Sequence, residues 1–213
     1  MNKKSPPLPD YLRFWMERNV GRSPIWDFPE LADSATLSYQ RLHFDNYLTV
    51  LDLFKNDPSP FVEMDFKEEN ALYEYVANLW ICAPYSYKKG GIDWLIRKRG
   101  GEGVGLLHAY DFSKEQVDNR HRSCTIGFLI AAPFRGSGVA KEAVLHLQQY
   151  LFQQMDMLYL TAYTKQDNER SIRFLEKMGY VETTLKYAGS DKRYYQKVNE
   201  EVKKSDHYSA TAL

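Results

Sequence analysis

The run FLIAAPFRGSGVAKEAV, from Phe128 to Val144, sets an arginine and two glycines directly behind a stretch with the composition of a buried strand. If that strand stops and a helix begins at once, the first amides of the helix lack backbone partners, and Gly136 and Gly138 open them into a concave donor set. The chemistry such a cradle serves is the binding of a phosphate or pyrophosphate. A second run, TKQDNERSIRFLEKMGY from Thr164 to Tyr180, puts Asn168 and Ser171 at the start of another helix. Each side chain there reads equally as a helix cap or as a ligand contact.

These runs need elements to position them. The pattern predicts a strand over Thr36–Leu42 and a helix over Asp45–Phe54 facing inward through Leu48, Leu51 and Phe54, ended by Asp57, Pro58 and Pro60. A second helix is predicted over Glu68–Ile81, with Leu72, Val76, Leu79 and Trp80 inward. Ile92–Arg99 and Val104–Tyr110 form a hairpin across the glycine-rich turn at 100–103, and Cys124–Ile130 follows as a strand. Ala140, Ala143, Val144, Leu147 and Leu151 then recur at the spacing of a helix laid on a sheet. Leu158–Thr164 is a strand, Asn168–Met178 a helix closed by Gly179, and Tyr180–Tyr187 with Lys192–Val198 an antiparallel pair.

The order gives an α+β fold: a mixed, mostly antiparallel sheet of six to seven strands with about four helices and a central strand-helix-strand crossover. At 213 residues one core suffices, so a single domain is expected over 34–198, with an extension at 1–33 and a tail at 199–213. The extension carries Pro6, Pro7, Pro9, Pro24 and Pro29, which deny it long regular structure, and Trp15 and Trp26, which pack back on the domain or meet a partner.

Lys plus Arg, 28, equals Asp plus Glu, 28, so no global basic field favours nucleic acid or an anionic membrane. The lysines at the N-terminus break into prolines where a signal peptide needs an apolar run, and no stretch reaches membrane-spanning length, which points to a cytoplasmic protein. Cys82 and Cys124 are the two cysteines, too few for a disulfide framework and without metal-ligand spacing, so no metal is expected.

With these motifs in hand, the chain resembles the GCN5-related N-acetyltransferase (GNAT) superfamily over about Thr36 to Val198, and most the branch that acetylates the N-terminal alanine of ribosomal proteins. Arg135-Gly136-Ser137-Gly138-Val139-Ala140 is similar to the superfamily's acetyl-CoA signature, and the later Asn-x-x-Ser run with Glu-Lys-x-Gly-Tyr stands at the family's separation from it. The resemblance implies a sheet splayed at its middle, with acetyl-CoA as co-substrate. It implies a pyrophosphate on the amides from Gly136 to Ala140, bordered by Arg135, and pantetheine paired along Phe128, Leu129 and Ile130. Asn168 would touch the same arm from the other side, and the amide at Ile130 would serve as oxyanion donor.

The implied reaction is direct acetyl transfer from the thioester to an amine acceptor, a small molecule or a protein N-terminus, in a ternary complex. Three positions depart from the family pattern. Thr125 stands where branch relatives carry a glutamate, and Leu175 stands where many members carry a tyrosine that protonates the leaving thiolate. Ala131-Ala132-Pro133 replaces a frequent Asp-Pro-Glu. Ser171 is the candidate donor in place of the tyrosine.

Neutralising an amine of pKa ~10.4 at pH 7 costs about 4.6 kcal/mol, against about 1.4 kcal/mol for an α-amine near pKa ~8. A site without a strong base therefore favours an α-amine over a lysine or a polyamine. Replacement bases are available in His108, His121, Tyr163, Glu63 and Asp65, any one of which is more often structural. The acidic stretch from Glu63 to Glu69 reads first as a solvated helix start. Cys124, on a strand, reads as inert, which argues against a covalent enzyme intermediate. The vacant positions at Thr125 and Leu175 leave a second reading, an acyl-CoA-binding regulatory module without catalysis. The C-terminal hairpin allows pairing into a homodimer.

Overall fold

Every residue from Gly91 to Ile96 is buried, although successive side chains of a strand point to opposite faces. A strand buried on both sides needs cover on both sides, and the computed structural model provides it. It describes residues 29–81, 91–113, 123–155, 157–183 and 191–200. The expectations for Trp15, Trp26, Cys82, His121 and the tail beyond 200 lie outside these residues, as does that for the Trp80 side chain.

The elements follow the expected order: β1 (Leu37–Arg41), α1 (Tyr47–Phe54), α2 (Glu69–Ile81), β2 (Gly91–Lys98), β3 (Gly103–Ser113) and β4 (Ser123–Ile130), then α3 (Val139–Gln149), β5 (Tyr159–Lys165), α4 (Glu169–Lys177), β6 (Val181–Glu182) and β7 (Lys192–Val198). Short 3-10 turns at Met64–Phe66 and Ala132–Phe134 precede α2 and α3. The seven strands form one open sheet in the order β1-β2-β3-β4-β5-β7-β6. All neighbours are antiparallel except β4 and β5, which are joined through α3 as the parallel crossover.

One face of the sheet, through Trp94, Ile96 and Leu107, packs on Ala143, Val144 and Leu147 of α3 and Leu175 of α4. The other face, through Leu95 and Leu106, packs on Val50 and Phe54 of α1 and on Leu72 and Val76 of α2. Each fully buried leucine here stabilises by roughly 1.5–3 kcal/mol relative to exposure.

Three local findings refine the sequence reading. The buried face of α1 centres on Tyr47, Val50 and Phe54, leaving Leu48 and Leu51 half-buried, so the helix is rotated from the leucine stripe. β3 runs beyond Tyr110 because Asp111 adopts a left-handed conformation (φ 49) at a register shift. Helix α3 ends in a π-turn over Tyr150–Gln154. Residues of the expected extension lie against the domain: Leu31 is buried in the α3-side core, and the Pro29 carbonyl accepts a 2.6 Å bond from the Tyr150 hydroxyl.

Candidate active site

The sheet parts at its centre. β4 pairs with β5 only from Ser123 to Thr125, opposite Tyr159 to Thr161, and the last pair is pinned by a 2.9 Å contact between the Thr125 and Thr161 hydroxyls. Beyond it, Ile126–Ile130 keep β3 on one side and lose β5 on the other. The Ala131 amide donates to the Val104 carbonyl of β3 at 3.0 Å. In an antiparallel strand the backbone groups alternate between the two edges, so Ile130 and Phe128 turn theirs toward the parting while Leu129 turns its own to β3. The Ile130 carbonyl indeed accepts from outside the sheet, taking a 2.8 Å bond from Arg135 Nε. Open edge groups therefore sit at Phe128 and at the Ile130 amide, and Leu129 also lines the cleft.

The glycine turn sits at the end of this edge. Gly136 (φ 83) and Gly138 (φ 91) are both left-handed, and a Cβ at either would meet nothing within 4 Å, so the turn faces open space. Gly138 is the N-cap of the eleven-residue α3, whose Glu142 amide bonds back to the Gly138 carbonyl at 3.1 Å. The amides of Val139, Ala140 and Lys141 precede that bond and have no turn behind them to bond to. The Ser137 hydroxyl is occupied by the Phe134 carbonyl at 2.6 Å, which holds the turn shut on itself. Left-handed glycines, open space and free helix amides at the foot of an unpaired strand edge fit a pyrophosphate with an amide-bearing arm.

Arg135 lines the cleft beside the glycine turn, where it was expected to border the pyrophosphate. Its guanidinium is tied to the Ile130 carbonyl and to the carboxylate of Asp57, a side chain 1 % exposed in the segment after α1. These bonds fix the geometry of the loop.

On the opposite wall, Asn168 has its cap role: its Oδ1 accepts the Ser171 amide at 3.2 Å at the start of α4. The Ser171 hydroxyl bonds to none of the described residues, so it is not the cap, and both residues line the cleft. Leu175 is buried beside them, and the Phe174 ring lies 4.7 Å from the Phe128 ring across the parting.

The other end of the cleft opens under α2 and the turn before it. Here His108 of β3 lies opposite Asp93 of β2, with Nδ1 2.8 Å from Asp93 Oδ2, and the Tyr75 hydroxyl of α2 donates to the same oxygen at 2.7 Å. Asp93 is 3 % and His108 8 % exposed. Tyr110 is half-buried with its ring against that of Tyr163, and loss of solvent followed by the interaction with the Tyr163 phenol pushes its own phenol far above the usual range. Burial also raises the Asp111 carboxyl. Of the sequence candidates for a base, His108, Tyr163 and Glu63 line this cleft, whereas Asp65 does not. Asp93, Tyr75 and Asp57 were missed in the sequence, because only the strand register and the chain fold bring them to their partners.

Burial raises the Cys124 thiol well above its usual range, in keeping with an inert strand cysteine. Among the described residues no cluster of His, Cys, Asp and Glu is arranged to hold a metal, and no helix is long and apolar enough to cross a membrane.

The parted β4 edge and glycine turn have a counterpart in sequence comparison: the family model for the acetyltransferase (GNAT) domain matches residues 41–181 of the 213. The chain belongs to the GNAT acetyltransferase family. No curated protein matches it in sequence. Among solved structures, a chimera built on the spermidine N-acetyltransferase SpeG of Vibrio cholerae is similar at TM-score 0.62 and 14% identity, covering 78% of this chain and 98% of that one. A GNAT-family acetyltransferase from Bacillus anthracis is similar at TM-score 0.61 and 17% identity, covering 79% and 98%. An acetyltransferase from Agrobacterium tumefaciens gives TM-score 0.57 and 16% identity over 78% and 92%. At these identities the likeness is one of fold. Among the described residues the GNAT fold of this chain is a seven-stranded open sheet flanked by four α-helices, as the sequence order implied.

Proposed function

We propose that this GNAT protein moves an acetyl group from acetyl-CoA directly to a primary amine, with the α-amine of a peptide or protein N-terminus as its preferred acceptor. One observation carries the reading: the open backbone edge at Phe128 and Ile130 runs straight into the left-handed glycine turn and free amides at the head of α3. In this reading Gly136, Gly138, Val139 and Ala140 hold the pyrophosphate. Phe128 and Ile130 pair with the pantetheine arm, and Asn168 and Ser171 face it from α4. Acetyl-CoA supplies the thioester, whose thiol of pKa about 8.5 leaves with modest acid help.

The chain's own residues then have distinct tasks. The Ile130 amide, on the open edge, is placed to hold negative charge developing on a carbonyl oxygen. The Ser171 hydroxyl, free of the cap, can give a proton to a departing thiolate. No carboxylate stands at Thr125, whose hydroxyl instead pins β4 to β5, so deprotonation of a strongly basic amine is unaided at that position. An α-amine costs about 3.2 kcal/mol less to neutralise at pH 7 than a lysine-like amine.

Thiol release with a panel of amines tests the acceptor class. The panel holds peptides with a free N-terminus and blocked lysines, their mirror set with blocked N-termini and free lysines, and spermidine. Faster turnover with the free α-amines is expected. A preference for spermidine or for lysine side chains would overturn the acceptor assignment.

A further inference from the structure

We propose that His108 is the general base of this enzyme, held by Asp93 and Tyr75 as positioning residues; the proposal rests on the acetyltransferase reading and adds the group that accepts the amine's proton. A carboxylate can only accept hydrogen bonds. The Tyr75 hydroxyl and His108 Nδ1 both converge on Asp93 Oδ2, so the imidazole proton sits on Nδ1 and Nε2 keeps its lone pair. Nε2 has no partner among the described residues.

The ring is aimed at the parting. Its Cδ2 atom, on the edge that carries Nε2, lies 3.4 Å from where a Cβ on Gly127 would stand. Gly127 faces His108 across the β3–β4 ladder and lies between Ile126 and Phe128, where β4 has just lost β5. The missing side chain leaves the Nε2 edge uncovered toward the cleft that both residues line. The Phe66 ring, 5.6 Å away, closes the ring's other surroundings with apolar area.

The charged and titratable groups around it are few. Asp93 faces it from β2 and Tyr75 from α2 through Asp93. Glu63 and Lys67 flank the 3-10 turn that carries Phe66, and Tyr110 and Asp111 follow on its own strand. Asp93 is the one in contact with the imidazole, and its carboxylate fixes the tautomer and the ring orientation.

The proton accounting closes. Nε2 takes one proton from the acceptor ammonium. The freed nitrogen lone pair forms the C–N bond as the C–S bond breaks, Ser171 gives its proton to the thiolate and is reprotonated by the second N–H proton, and the imidazolium returns its proton to solvent. The net change is ammonium plus thioester to amide, thiol and one released proton.

The test is the pH dependence of kcat/KM for wild type, H108Q and D93N with a peptide α-amine, alongside acetyl-CoA affinity by calorimetry. Wild type is expected to show a rising limb with an ionisation in the imidazole range. H108Q should lose that limb and about 100-fold in rate, within the span typical of general-base loss, with acetyl-CoA affinity unchanged. D93N should lower kcat while acetyl-CoA affinity stays near wild type, because the imidazole loses the acceptor that fixes its tautomer; a merely structural aspartate would lower stability and leave kcat in place. H108Q that keeps the wild-type rate and limb overturns the base assignment alone. Wild type that binds acetyl-CoA yet transfers to no amine overturns the acetyltransferase reading, and the base with it. If H108Q no longer binds acetyl-CoA, D93N decides: a lowered kcat with cofactor affinity kept supports the assignment, and an unchanged kcat overturns it.

Discussion

The guanidinium of Arg135 closes on the carboxylate of Asp57, a residue 78 positions earlier that is almost wholly buried. The same guanidinium bonds the carbonyl of Ile130, so one side chain ties the end of β4 and the glycine turn to the segment after α1. Asp57 also takes the Ser59 amide at 2.9 Å, at the start of the segment that forms the acceptor-side wall. The donor and acceptor halves of the cleft are therefore mechanically joined.

Asp57→Asn is expected to lower stability by about 1–3 kcal/mol, the cost of leaving a partly buried donor without its charged partner. Acetyl-CoA affinity should fall several-fold with it, because the glycine turn loses its anchor. Thermal unfolding with calorimetric titration checks both, and an unchanged affinity would show that the turn holds its shape unaided.

Gly138→Glu should abolish acetyl-CoA binding, at the least weakening it tenfold, or about 1.4 kcal/mol. Gly138 has φ 91, a conformation that strains any L side chain, and the new carboxylate would stand where a pyrophosphate is to sit. Calorimetry against wild type reads the loss; retained affinity would place the cofactor elsewhere.

Asn168→Ala and Ser171→Ala should separate cap from chemistry. The Asn168 side chain holds the amide of Ser171, so its loss should cost about 1 kcal/mol of stability. The Ser171 hydroxyl bonds to no described residue, so Ser171→Ala should leave stability and cofactor affinity near wild type while slowing transfer. A wild-type rate for Ser171→Ala would remove it as proton donor.

Glu142 supplies a pH effect. Burial acts to raise its carboxyl, but bonds from the Thr36 hydroxyl and amide and from the Ser34 hydroxyl outweigh that and hold it below its ordinary range. A lowered folded value adds stability that is fully present above the unfolded pKa of about 4.3 and is lost as pH falls through the folded one. Thermal midpoints taken from pH 7 to pH 3 should fall less steeply at the acid end for Glu142→Gln than for wild type. Parallel curves would contradict this role.

Much of this site could be read from residue order alone. Asn168 as a cap and Gly138 as a helix entry are local events, set by side chain and backbone within one turn, and β7 lies where its alternation placed it, at Lys192–Val198. The face of α1 was misjudged because Tyr47 and Val50 are weaker apolar signals than the leucines beside them, yet they are the ones the sheet covers. The extension of β3 past Tyr110 depends on a left-handed Asp111, which residue type alone does not announce.

The missed partnerships share one cause. His108 meets Asp93 through the β2–β3 register, Tyr75 reaches Asp93 from a helix on top of the sheet, and Arg135 meets Asp57 across 78 residues. A one-residue slip in the register would send His108 to the other face of the sheet. Such pairs follow from the assembled sheet, whereas His108 itself carried a signal as one of the few histidines near the expected site.

A structure of the protein with CoA bound tests the account most directly. The pyrophosphate should lie on the amides from Gly136 to Ala140, and the pantetheine amides should pair with the β4 edge at Phe128 and Ile130, leaving the thiol between Ser171 and the cleft that His108 lines. CoA bound elsewhere, with that edge bare, would contradict it.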